Sequence, residues 1–95
     1  MQIYLIPQRQ LEDEAKRGRL QAVSIQRVAI KQWFPLFEIG DDSANVVVCS
    51  VRVQAKEEVR YWADLRLLVE WLREKCGVKS CSLLLSDWNP KPGEP

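Results

Sequence analysis

The chain has 95 residues, 46% of them hydrophobic, with 14 basic and 13 acidic side chains and a formal net charge of +1. That length supports one domain around one core and is too short for a second. The near-neutral balance excludes a disordered acidic tail and a globally basic nucleic-acid binder, so any electrostatic function must be local.

Residues 2–6 form a short apolar run that reads as a strand stopped by Pro7, which has no N–H to give to a ladder. Residues 8–17 are good helix formers with Glu12, Asp13 and Glu14 ahead of Lys16 and Arg17, a charge order that complements the helix dipole, and Gly18 follows as the stop. Only Leu11 and Ala15 are apolar within it, so loose packing is expected.

Over 20–31 the alternating apolar set changes parity between Ile25 and Val28, and a bulge near Gln26 and Arg27 would return it to one face. Residues 33–39 give a second apolar segment that Pro35 should restrict to an edge or a bend. GDDSAN, 40–45, is a turn sequence. The strongest strand is 44–53, apolar on both faces and hence predicted to be central. A polar turn at 56–58 and a short extended entry at 59–62 lead to a helix over 64–76, with Asp64 in its first turn and Gly77 beyond its end. The last strand falls within 78–86, where Cys81, Leu83 and Leu85 alternate with serines, and the Pro-rich residues 89–95 read as a flexible tail.

This order predicts the α+β class. A single domain over 1–88 would hold a mainly antiparallel sheet of four or five strands, with the strong helix 64–76 packed on one face, and a weaker N-terminal helix 8–17. A βαββαβ split arrangement fits, and so does an α-β-β-β-α core with peripheral terminal strands.

Three cysteines, Cys49, Cys76 and Cys81, fit no disulfide framework, and Cys49 and Cys81 read as small buried strand residues. With no histidine and no CxxC spacing, no metal and no cofactor is expected. The sequence also lacks GxSxG, P-loop, GxGxxG and HExxH signatures, and the adjacent pairs Asp41/Asp42 and Glu57/Glu58 read as solvated turn charge, so the expectation is a protein that is not an enzyme. No apolar run reaches about 18 residues and the first ten lack a signal-peptide pattern, which suggests a cytoplasmic protein without a membrane span.

Two features carry functional expectations. On helix 64–76, Leu65, Leu68, Val69, Leu72 and Cys76 share a stripe about 120° wide, while Leu67 and Trp71 lie outside it at about 200° and 240° from Leu65. A homodimer or protein partner would use Leu67 and Trp71 as anchors and Arg66, Glu70 and Lys75 as a polar rim; the competing cover is internal, from the first helix, Trp88 or the tail. The second feature is the acid-free set Lys16, Arg17, Arg19, Arg27 and Lys31 just before Trp33, which offers phosphate contacts and a stacking ring to a nucleic acid.

Overall fold

The computed structural model describes residues 2–87. In chain order the elements are β1 (Tyr4–Ile6), α1 (Gln8–Lys16), β2 (Leu20–Ala29), β3 (Gln32–Asp42), β4 (Asn45–Val51), α2 (Leu65–Lys75) and β5 (Ser82–Leu84). The strands make one five-stranded sheet in the order β1-β4-β3-β2-β5. This is a single small α+β domain in which the antiparallel β2-β3-β4 meander is flanked by β1, parallel to β4, and β5, parallel to β2. The α-β-β-β-α arrangement with peripheral terminal strands is the one adopted.

Topology explains why both helices share a face. The crossovers β1-α1-β2 and β4-α2-β5 each join parallel strands and step the same way across the sheet, so the right-handed rule sends both to one side. Leu11 of α1 and Leu68 and Leu72 of α2 accordingly pack in one core with Ile25, Phe37, Ile39, Cys49 and Val51. Leu11 is fully buried and Ala15 packs beside it, so two apolar residues suffice to seat α1. The opposite face carries a smaller cluster of Ile3, Phe34, Leu36 and Val59, covered in part by the connection between β4 and α2.

Local signals place the element ends. Asp64 caps α2 by accepting the Arg66 amide at 2.9 Å, and Gly77 stops the helix with φ +66. In the β3–β4 turn Asp42 Oδ1 accepts the amides of Ala44 and Asn45, at 2.9 and 3.0 Å. Gly40 is required there because a Cβ would sit 2.1 Å from the Asn45 carbonyl oxygen.

Three expectations about strands need correction. The β2 register runs regularly through Gln26 and Arg27 and shifts between Arg27 and Ala29, leaving Val28 to pack on the opposite face, where a second apolar cluster receives it. Pro35 sits in the middle strand rather than at an edge. The β3–β4 ladder ends at Phe37↔Cys49, so no strand amide position is forfeited beside Pro35, and its carbonyl accepts the buried Ser50 hydroxyl at 2.5 Å. Finally, β5 is only three residues long and exposed throughout, and Cys81 precedes it as an exposed residue. At the sheet border the described residues leave Leu83, Leu84 and Leu85 all exposed, so the sequence alternation does not become a buried face. The tail 89–95 and Trp88 lie outside the described residues.

Candidate functional site

The outer face of α2 does not hold the expected apolar pair together. Trp71 is half-buried: its ring stacks on Trp62 at 5.5 Å between centroids, meets Phe37 edge-on at 6.1 Å, and its Nε1 donates to Glu12 Oε2 at 2.9 Å. The internal cover is α1, and Trp71 is not an open anchor. Leu67 remains 63% exposed on its own. Of the rim residues, Arg66 pairs with the capping Asp64 at 3.1 Å, Glu70 lies 4.0 Å from Arg73, and Lys75 is exposed. The core face is turned toward Trp71 and away from Val69, which is exposed on the flank about 160° from Trp71, the flank turned from α1. The indole N–H holds the Glu12 carboxyl below the usual carboxylate range against the opposing effect of burial, and Gln8 assists through a 3.2 Å hydrogen bond.

The basic segment is dispersed and largely neutralised. Arg19 bonds Glu14 at 2.7 Å and also Asp41, Arg17 lies 3.9 Å from Glu14, and Arg27 pairs with Asp87. Lys16 and Arg17 stand at the end of α1, whereas Lys31, at φ 59 in the β2–β3 turn, is at the far end of the ten-residue β2, about 30 Å along the strand. Trp33 is half-buried and its backbone is bridged to Trp62 by hydrogen bonds of 3.0 and 2.7 Å. The acids come from other elements, which a scan for acid-free stretches does not register.

At the sheet border, β5 presents Leu83, Leu84 and Leu85 at 46%, 41% and 62% exposure. Its register with β2 pairs Leu83 with Ile25 and Leu84 with Gln26, so Leu83 faces the helix side and Leu84 the other. The buried Gln26 holds this border in place: its Nε2 donates to the Ser86 carbonyl at 2.5 Å, beside the Arg27–Asp87 ion pair. No charged residue or proline lies between Cys81 and Ser86, so the shortness of β5 is the one usual protection this edge keeps among the described residues.

A cavity of about 660 Å³ opens where α1 begins, against the segment that follows β4. Arg9, Arg52 and Arg60 line it, with Gln8, Gln54 and Glu12. Arg60 is held by Nη1 donating to Gln8 Oε1, and its guanidinium lies 4.3 Å from the centre of the Trp62 ring. Positions 9, 52 and 60 share no local sequence signal; the parallel β1–β4 pairing brings them to one end of the sheet.

No family model, no curated protein and no solved structure matches this chain. Among the described residues no group of three Cys, Asp or Glu side chains could hold a metal ion, and no helix is long and apolar enough to cross a membrane.

Proposed function

We propose that this domain is a non-enzymatic assembly module that self-associates through the free edge of β5. The observation that carries the reading is the coincidence of a strand edge unpaired among the described residues with three consecutive exposed leucines and no charge between Cys81 and Ser86. Backbone N–H and C=O groups on that edge are satisfied best by another strand, and apolar side chains on both faces favour a partner that covers both. A second copy supplies the same strand. Antiparallel pairing of β5 with its symmetry mate gives a two-fold, self-complementary contact, opposes leucine to leucine or serine, and places no like charges opposite each other.

The contact is small. Three strand residues fall at the low end of specific interfaces, and an affinity on the order of micromolar is the expected outcome. Light scattering coupled to size exclusion over a hundredfold concentration range tests it, on the wild type, Leu84→Lys and Leu67→Glu. The expected pattern is a concentration-dependent wild-type dimer, retained in Leu67→Glu and lost in a folded Leu84→Lys. A wild type that stays monomeric throughout, or a dimer lost only in Leu67→Glu, overturns the β5 reading, the latter in favour of the outer α2 face.

A further inference from the structure

We propose that the cavity at the start of α1 binds a phosphate-type anion, held by Arg9, Arg52 and Arg60. The chain has eight arginines, and five of them, at 17, 19, 27, 66 and 73, form ion pairs among the described residues. The three that do not are the three that line this one cavity. A dispersed set of surface arginines would be expected to find acids at similar frequency, as the other five do; here three sequence-distant arginines line one cavity with no ion pair to an acid among the described residues.

Charge and preorganisation both favour an anion. Glu12 is the cavity's one carboxylate, and it is already committed to the Trp71 indole and the Gln8 amide. The lining is thus two positive charges in excess when the three arginines are ionised. Arg60 is fixed by Gln8 and by stacking on Trp62, so little side-chain freedom is lost on binding. Arg52 Nε is buried with no hydrogen-bond partner among the described residues, so no protein acceptor is committed to that N–H.

The helix terminus adds to the same field. Pro7 stands at the N-cap with no side-chain acceptor, and the first helical hydrogen bond runs from Leu11 to Pro7 at 3.2 Å, so the amides of Gln8, Arg9 and Gln10 have no helical carbonyl. At about 660 Å³ the space admits a phosphomonoester as well as free phosphate. The tetrahedral dianion, with several acceptor oxygens, is the chemistry that several forked donors select over a halide.

Titration of amide chemical shifts with sodium phosphate, and separately with adenosine monophosphate, at ionic strength held constant by sodium chloride, tests the site. Saturable shifts are expected at Gln8, Arg9 and Gln10, weakened about tenfold or more in Arg9→Gln, an exposed position whose replacement leaves the core untouched. Tighter binding of the nucleotide identifies an organic phosphate as the occupant, and equal binding identifies the free anion. Shifts that fail to saturate, that spread over the whole surface, or that are unchanged in Arg9→Gln overturn the proposal.

Discussion

Trp71 donates its indole N–H to the Glu12 carboxylate across 2.9 Å, and this one bond ties α2 to α1 over 59 residues of chain. It also explains how a nine-residue helix with two inward apolar residues stays seated: the polar flank of α1 is anchored as well as its apolar one. Trp71→Phe keeps most of the ring contact with Trp62 and Phe37 but removes the donor. The expected cost is about 1.5–3 kcal/mol, the range for a hydrogen bond to a charged group, measured by chemical denaturation at neutral pH.

The same bond sets a pH dependence. Because Glu12 titrates lower in the folded state than in the unfolded chain, it contributes stability above its ordinary range, and that contribution is lost as pH falls through its lowered folded value. Denaturation midpoints measured from neutral to acid should therefore fall less steeply in Trp71→Phe than in the wild type. Parallel curves for the two proteins would show that the bond does not hold the carboxylate ionised.

Ser50 is fully buried, and its hydroxyl donates to the Pro35 carbonyl at 2.5 Å where the β3–β4 ladder has ended. Ser50→Ala leaves that carbonyl without its donor in a dry setting, with an expected loss of about 1–3 kcal/mol. A stability change below about 0.5 kcal/mol, the range of a neutral surface substitution, would place the carbonyl's compensation elsewhere.

What the sequence makes legible is local. Asp64 and Gly77 bound α2, Gly18 ends α1 with φ +72, and GDDSAN turns β3 into β4, each through hydrogen bonds or backbone angles within a few residues. Parity assigns a residue to a face but not to a neighbour. Val28 reads as out of phase until the second cluster on the far face is known, and Pro35 reads as marking an edge or a bend until the early end of the β4 ladder is seen. Trp71 lies about 240° from Leu65, at the border of the helix's buried arc, and only the placement of α1 on that flank decides that it is covered. The arginine-lined cavity was not legible at all, since its three cations come from positions 9, 52 and 60. Leu83 and Leu85 read as one face of an alternating strand that Leu84 interrupts, but the exposure of all three depends on β5 lying outermost.

The three thiols should separate cleanly by reactivity. Cys49 and Cys76 are buried in the helix-side core, and burial raises both thiols, Cys76 to about 12, so the reactive thiolate is suppressed as well as shielded. Cys81 is exposed one residue before β5. With a slight excess of an aromatic disulfide reagent at mildly alkaline pH and low protein concentration, one thiol per chain is expected to react, with mass mapping to Cys81, and the other two only after addition of denaturant. The β5 contact adds a second expectation: self-association brings a neighbouring strand beside Cys81 and should slow its labelling as protein concentration rises, while Leu84→Lys abolishes that concentration dependence. Rapid native labelling of Cys76 would mean that α2 opens from the sheet far more readily than its packing against Leu11, Ile25 and Phe37 implies.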